Sequence, residues 1–388
     1  MNKKQVKKIE SIATMYNLSI KKAFDKIQSK NYTELSLYYL IDVPKNHLGN
    51  LSSIIKKMRS SGVVDILEYN EVMNLHPLDY EQKNVMIKQK SMRKRQMTND
   101  PRTNDLWGFD ILKVGALFQY MNDHNIKPKK KVTIAILDTG IDQNHEDIKP
   151  KYVSIKPEYD KDFIGHGTHC AGIAASVTNN KKGIASLTPN NDFVQVTSVK
   201  IINNKDTTTT DAKVIAGIIE ACDNGADVVS ISISGTSKDN VQVAYAQAIK
   251  YAKAKGVIVV VAAGNRNDSL LGYVPASIKG VIVVTAIDQY MNKAYFSNYV
   301  TDTTSTMAVA APGVTIMSTY PDNKYVYLNG TSMAAPYVAG LVGLLKSVKP
   351  NLQTQEVYEI LKSTGISTRD AHKTGKLIQP LEALKKVL

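Results

Sequence analysis

Lys131–Gly140 reads KVTIAILDTG: Val132, Ile134, Ala135, Ile136 and Leu137 run almost without interruption into an acid, a threonine and a glycine. A short apolar run rich in β-branched residues and closed by turn formers is the pattern of a strand buried on both faces. Four further segments repeat it: DFVQVTSVKII (192–202), DVVSISISG (227–235), GVIVVVAAGN (256–265) and GVIVVTAID (280–288). Between them lie stretches of helical periodicity, TDAKVIAGIIEACDNG (210–225) and VQVAYAQAIKYAKAKG (241–256), each ending at a glycine suited to a helix C-terminus. Alternation of this kind predicts an α/β fold, a mostly parallel sheet with helices on both faces. In such sheets chemistry gathers at the carboxyl ends of the strands.

Composition bounds the rest. The 388 residues are 43% hydrophobic and 22% charged, which excludes a disordered or collagen-like chain. No apolar run reaches the roughly 18–20 residues of a membrane-spanning helix. Two cysteines, Cys170 and Cys222, cannot form a disulfide scaffold. The net charge of +14 raises the question of nucleic acid, but it is unevenly spread. Residues 1–100 carry 18 Lys and Arg against 10 Asp and Glu, a net of +8, leaving +6 for the other 288.

That basic N-terminal quarter has its own organisation. Ile9, Ile12, Ala13 and Tyr16 fit one helix face, and no apolar core of a signal peptide follows the early lysines. LSLYYLIDVP (35–44), a helical segment through Ile54, Ile55 and Met58, and VVDILEYNEVMNL (63–75) complete a small α/β module over residues 1–76. Residues 77–98 lose all periodicity and put six cations between Lys83 and Arg95. Without aromatic interleaving or a recognised binding fold, they read as a solvated linker and no nucleic-acid partner is expected.

Three later segments carry reactive groups. Asp138 ends the first strand, a position where an acid often just caps a turn. His166 opens HGTHCAG (166–172), between Gly165 and Gly167, with His169 one turn further along the helix and read as structural. An H-x-x-H pair without a third ligand is a poor zinc pattern. Ser332 lies in NGTSMAAPYVAG (329–340), a glycine turn entering a helix of small residues. Serine there is commonly a cap, yet a nucleophile also gains from the helix dipole and the free N–H groups. Serine needs a base and a carboxylate behind it, and the chain order Asp138, His166, Ser332 is one of the known orders of such triads.

DTGID, HGTHCAG and NGTSMAAPYVAG, in this order, resemble the three signature blocks of the subtilisin family of serine endopeptidases, over residues 99–388. The resemblance implies that Asp138 orients His166, that His166 is base and then acid, and that Ser332 attacks the scissile carbonyl. It implies Asn265, after VVVAAG, as the oxyanion donor. It implies a substrate laid between the edge Asp206–Thr210 and Ser232, Ile233, Ser234 and Gly235, with Ala262, Ala263 and Gly264 as the opposite pocket wall. Ser234 and the DTTTT edge (206–210) depart from the glycines usual there, and Arg266 stands at the pocket mouth.

HGTHCAGIAASVTNNKKGIAS (166–186) and NDPRTNDLWGF (99–109) resemble the thermitase-like branch, which carries structural calcium. The corresponding ligands are Asp100, Asp147 and Asn180, with backbone carbonyls of Val177, Lys182 and Ile184. Oxygen donors with two carboxylates suit Ca²⁺. Lys181 and Lys182 oppose it. Cys170 resembles that branch's unpaired buried cysteine, and a bridge to Cys222 stays open.

Residues 32–76 resemble the second half of the family's inhibitory propeptide, which blocks the cleft until it is cut, with LEYNEVMNLH (67–76) as its last strand leading into the active site. Cleavage is expected near Tyr80, Arg95 or Met97–Thr98. The first strand usual in such propeptides is missing. The resemblance implies a secreted enzyme if sequence precedes Met1 and a cytoplasmic one if Met1 is the true start. The expectation is a self-processing, monomeric zymogen acting on polypeptides. A processing protease of narrow specificity and a silent binding protein on the same fold are the alternatives.

Overall fold

The computed structural model describes residues 3–24, 34–75, 97–237, 243–301 and 306–388. Most of the basic stretch expected as a linker, with Tyr80 and Arg95, lies outside them, as does His76. Met97 and Thr98 are described, and both sit on the large domain: Thr98 is buried and its hydroxyl shares a hydrogen bond with Thr103.

The N-terminal module begins with α1 (Lys3–Met15), whose Ile9, Ile12 and Ala13 are buried as their spacing predicts. β1 (Ser19–Lys22) pairs antiparallel with β2 (Tyr39–Asp42), and α2 (Leu51–Ser60) turns Ile54 and Met58 inward. The five-residue core of Ile12, Ala13, Leu18, Ile54 and Met58 is small. The module therefore gains much of its burial elsewhere. Phe24, Leu35, Met73 and Leu75 belong to the core of the large domain, and β3 (Val72–Asn74) leaves the module to pair with an edge of that domain.

The large domain opens with α3 (Trp107–Ile111) and α4 (Val114–Asp123) and then enters the sheet at β4 (Val132–Asp138). After α5 (His166–Ala175) come β5 (Val194–Lys200), the short edge β6 (Thr208–Thr210), α6 (Asp211–Asp223) and β7 (Val228–Ile231). β8 (Gly235–Thr236), α7 (Val243–Ala254), β9 (Ile258–Ala262), β10 (Tyr273–Val274), β11 (Ile282–Ile287) and β12 (Met307–Pro312) follow. A hairpin of β13 (Ile316–Tyr320) and β14 (Lys324–Leu328) leads to α8 (Thr331–Val348), and α9 (Thr354–Thr364), β15 (Ile366–Ser367), α10 (Ala371–Thr374), β16 (Lys376–Leu377) and α11 (Pro380–Val387) close the chain.

Eight strands form the main sheet in the order β15-β16-β12-β11-β9-β7-β4-β5. All neighbours are parallel except β15 and β16. The five strands read from the sequence are all present. Their alternate residues feed two cores: Ile134 and Ile136 of β4 face the layer of α5 and α8, while Ala135 and Leu137 face that of α6 and α7. Burial on both faces is why these segments carry no polar alternation. β4 has β5 on one side and β7 on the other, so the strand order reverses at its carboxyl end. That reversal opens a crevice where ligands bind in doubly wound sheets, and Asp138 is the last residue of β4.

Candidate active site

Asp138 is buried at the crevice, and both carboxylate oxygens accept from Nδ1 of His166, at 2.8 and 2.9 Å. The Thr139 N–H also donates to Asp138 Oδ1, at 2.8 Å. His166 is the first residue of α5 and is itself buried. Burial alone would favour the neutral ring, but the Asp138 carboxylate outweighs it and holds the imidazole well above the usual histidine value.

Local sequence explains how the helix reaches so close. The Gly167 N–H donates to Thr139 Oγ1 at 2.8 Å, and a Cβ on Gly167 would lie 2.2 Å from the Gly140 carbonyl oxygen. Gly165 has φ +96° and lies against the Tyr320 ring, so a side chain there meets both strain and a clash. Asp162 gathers the turn by accepting from the N–H groups of Ile164, Gly165 and Thr168 and from the Thr168 hydroxyl, at 2.8–3.0 Å.

His169 takes no part. It is fully buried, its Nε2 donates to the carbonyls of Ile316 and Val326 at 3.1 Å, and burial pushes its pKa down to about 3. Cys170 and Cys222 are both free thiols, so no bridge joins them.

Ser332 is the second residue of α8, whose eighteen residues are all buried. Its backbone N–H belongs to the first turn, where helix donors have no intrahelical partner. Pro336 stands four residues on and has no N–H, so the Ser332 carbonyl is left without its helical partner. That carbonyl instead accepts from the Ser232 hydroxyl at 3.0 Å and lies 3.4 Å from Cys170 Sγ. In return the Ser332 hydroxyl donates to the Ser232 carbonyl, at 3.0 Å, and not to His166. The nucleophile candidate is thus in a resting rotamer, although His166 and Ser332 line one pocket.

Asn265, Ala262, Gly264, Ser232, Ile233 and Ser234 line that pocket too. Asn265 Oδ1 accepts from the N–H and the hydroxyl of Thr331, at 2.9 and 2.8 Å, which leaves its NH₂ group as the free end of the amide. Thr331 carries no signal of its own beyond standing before Ser332 in the block. Arg266 is exposed, and Gly235 lies in β8, paired antiparallel with β10.

The edge Asp206–Thr210 is occupied by the chain itself. Val72, Met73 and Asn74 pair antiparallel with Thr210, Thr209 and Thr208, and the Leu75 N–H donates to the Thr207 carbonyl at 2.9 Å. Met73 is buried against Gly235, and Asn74 and Leu75 reach the pocket of His166 and Ser332. Carboxylates hold the approach. Glu68 accepts from the first N–H groups of α7, at 2.5 and 3.1 Å, and Asn70 Oδ1 accepts from Ala212 N at 2.9 Å. Buried Asp211 accepts from Glu71 N at 2.8 Å. Desolvation and the facing Glu71 and Glu68 raise its pKa to about 6.

The expected calcium ligands come together away from the crevice. Asp100 and Asp147 are buried, and Asp100 accepts from the N–H groups of Asn179 and Asn180 at 2.8 and 2.9 Å. Asp147 accepts from Asn180 Nδ2 at 2.7 Å and from Ile184 N at 2.8 Å. Burial raises Asp147 to about 7 against the opposing hydrogen bonds from Ile184 and Asn180, and the Asp100 charge adds a lesser upward push. The Lys182 ammonium is drawn out to Glu146, at 3.3 Å, so its charge does not enter the cluster.

The subtilase family profile matches residues 129–378. Thermitase of Thermoactinomyces vulgaris is 45% identical over 219 residues, covering 55% of this chain and 74% of thermitase. Subtilisin DY of Bacillus licheniformis is 39% identical over 260 residues, covering 65% of this chain and 90% of its own. A solved protease from Pseudoalteromonas arctica PAMC 21717 superposes with a TM-score of 0.65 at 28% identity, over 75% of this chain and all of that one.

Proposed function

The chain belongs to the subtilase family and is a subtilisin-like serine endopeptidase, and on that premise we propose that Asp138, His166, Ser332 and Asn265 carry the reaction. The observation that supports this most is the buried Asp138–His166 pair opening onto the same pocket as Ser332 and Asn265. Ser332 Oγ leaves the Ser232 carbonyl, gives its proton to His166 Nε2 and attacks the scissile carbonyl. Asp138, on Nδ1, keeps the ring in the tautomer that can receive that proton and stabilises the imidazolium. The oxyanion takes hydrogen bonds from Asn265 Nδ2 and the Ser332 N–H at the positive end of α8. His166 then protonates the leaving amine, and a water deprotonated by His166 releases the acyl group from Ser332. Peptide substrates lie along β6 and Ser232–Gly235, with Ala262, Ala263 and Gly264 as the facing wall.

The zymogen reading rests on β3. Residues 1–76 act as an inhibitory module whose last strand takes the place of substrate on β6, and 77–98 is the segment cut on activation. A calcium ion fits the cluster of Asp100, Asp147 and Asn180 with the carbonyls of Val177, Lys182 and Ile184. Two buried carboxylates repel each other there, and once the Asn180 amide turns its Oδ1 in place of Nδ2 toward the cluster the donors are all oxygen, the set a hard divalent cation requires. Bound, the ion would neutralise that repulsion and tie the N-terminal end of the domain to the 177–184 loop. Among the described residues no helix is long and apolar enough to cross a membrane.

Digestion of a denatured polypeptide by the processed chain, with cut sites mapped by mass spectrometry, tests the assignment. Internal cuts by wild type and none by Ser332→Ala are expected. Equal cutting by the two would refute it.

A further inference from the structure

Asn265 cannot place itself. It lies in a loop that leaves β9 and has no regular hydrogen-bond ladder of its own. Thr331 fixes the far end of its side chain, and the Thr331 hydroxyl accepts from Gly264 N at 3.1 Å. Beside the bonds of Ala263 N to the Val284 carbonyl and Asn267 N to the Phe296 carbonyl, at 2.9 and 2.7 Å, a second asparagine, Asn298, on the connection between β11 and β12, holds the backbone on both sides of it. Asn298 is fully buried, a costly place for an amide unless every group is paired. Its Nδ2 donates to the Ala263 carbonyl at 3.0 Å. Its Oδ1 accepts from Arg266 N at 3.0 Å and from Asp268 N at 3.1 Å. Its own backbone N–H donates to the Gly264 carbonyl at 2.9 Å.

Four hydrogen bonds therefore grip the loop on both sides of Asn265, two before it and two after. The partners also decide the amide orientation, since one faces a carbonyl and two are N–H donors. The grip is close. Gly264 has φ +103°, and a Cβ there would stand 2.5 Å from Asn298 Nδ2. Asn298 is in turn anchored to the sheet, because the Ser297 hydroxyl donates to the Asn298 carbonyl at 2.9 Å and accepts from Ala286 N of β11 at 3.0 Å. A rigid path thus runs from the central sheet to the donor.

We propose that Asn298 is a positioning residue of the peptidase, fixing the 263–268 loop so that the Asn265 amide meets the oxyanion. This rests on the assignment of Asn265 as oxyanion donor. A rigid donor matters because oxyanion stabilisation depends on dipoles already aimed at the developing charge, and loss of one donor typically costs about 10²–10³ in kcat.

A double-mutant cycle with Asn265→Ala, Asn298→Ala and the pair tests it, with kcat and KM expressed per active site titrated by a burst reagent. Asn298→Ala should lower kcat about tenfold or more with KM changed by less than about threefold, as expected for an interaction made mainly in the transition state. In the Asn265→Ala background the same change should cost nearly nothing, since there is no donor left to place. Wild-type kcat for Asn298→Ala, or a loss that persists undiminished on Asn265→Ala, would overturn the proposal and leave the Asn265 assignment standing. Wild-type kcat for Asn265→Ala would overturn both. If Asn298→Ala yields no titratable enzyme, Asn298→Asp completes the cycle. It keeps both accepted hydrogen bonds and turns an oxygen toward the Ala263 carbonyl, and the same pattern of losses is expected.

Discussion

At the scale of single residues, Asp138, His166 and Ser332 are buried polar groups, each held by a named partner. The Asp138 carboxylate beside His166 is the clearest case, because it opposes and exceeds the effect of burial on the ring. The sign for activity follows. The base must be neutral to accept the Ser332 proton, so a raised pKa moves the acid limb of kcat/KM upward. That limb is expected above the ordinary histidine value of about 6.5. In Asp138→Asn it should move downward while kcat falls by several orders of magnitude, about 10⁴ in the best-studied triad. A pH–rate profile of both forms reads the two effects, and an acid limb unmoved by the substitution would detach Asp138 from the base. Gly167→Ala is a steric counterpart. Its Cβ would fall 2.2 Å from the Gly140 oxygen, so α5 must shift away from β4. Reduced activity per titrated site is expected, with a lowered melting temperature.

At the scale of elements, β3 on β6 is the contact on which the proposed inhibition turns. Its polar frame includes Asp211, faced by Glu71, Glu68 and Tyr245. Burial, with the Glu71 and Glu68 charges that arrive with β3, raises its pKa from the free value of 3.8 to about 6, so docking is expected to be coupled to proton uptake. Docking is therefore favoured as pH falls from about 6 toward about 4 and weakens as pH rises through about 6. Hydrogen exchange of residues 70–75 in the Ser332→Ala chain, corrected for intrinsic rates, should show protection falling from pH 5 to pH 7. Asp211→Asn should flatten that slope, and a slope left unchanged would place the titration elsewhere. Met73→Ala should loosen the same strand at all pH values, since a buried methionine truncated to alanine typically loses about 2–5 kcal/mol. These elements differ in how far the sequence reveals them. β4, β5, β7, β9 and β11 are legible because burial on both faces demands unbroken Val and Ile. β3 has no such pattern of its own: the resemblance to a propeptide marks 67–76 as a last strand, but the Thr208–Thr210 edge that VMN pairs with lies more than a hundred residues away and is visible only in the fold. Asn298 is silent: FSNYV carries no chemical pattern, and its meaning appears only when the β11–β12 connection folds behind the Asn265 loop. Asp138, His166, Ser332 and Asn265 stand out because glycines, a strand end or a helix start mark each of them.

At the scale of the whole molecule, a large two-layered core carries a small module that depends on it. The five-residue core of α1 and α2 contrasts with the two extensive cores flanking the sheet. The +8 of residues 1–100 thus falls largely on the module and the segment proposed to be cut, and the domain that would be left behind carries a modest charge. The proposed calcium would act at this scale too, since its ligands would join Asp100, near the start of the domain, to Asp147 and the 177–184 loop. A ligand that binds only the folded state stabilises it by mass action, so chelation should lower the melting temperature and added Ca²⁺ restore it. Asp147→Asn should shrink that difference, and a melting temperature indifferent to calcium would remove the ion from the account. The central claim is that Ser332 is the nucleophile of a self-processing peptidase. It is tested most directly by treating the full chain with a fluorophosphonate and locating the adduct by mass spectrometry. One adduct is expected, on Ser332, in a wild-type chain that has lost its N-terminal segment, and neither adduct nor processing in Ser332→Ala. A wild-type chain that stays full-length and unlabelled with calcium present, or labelling that survives Ser332→Ala, would contradict it.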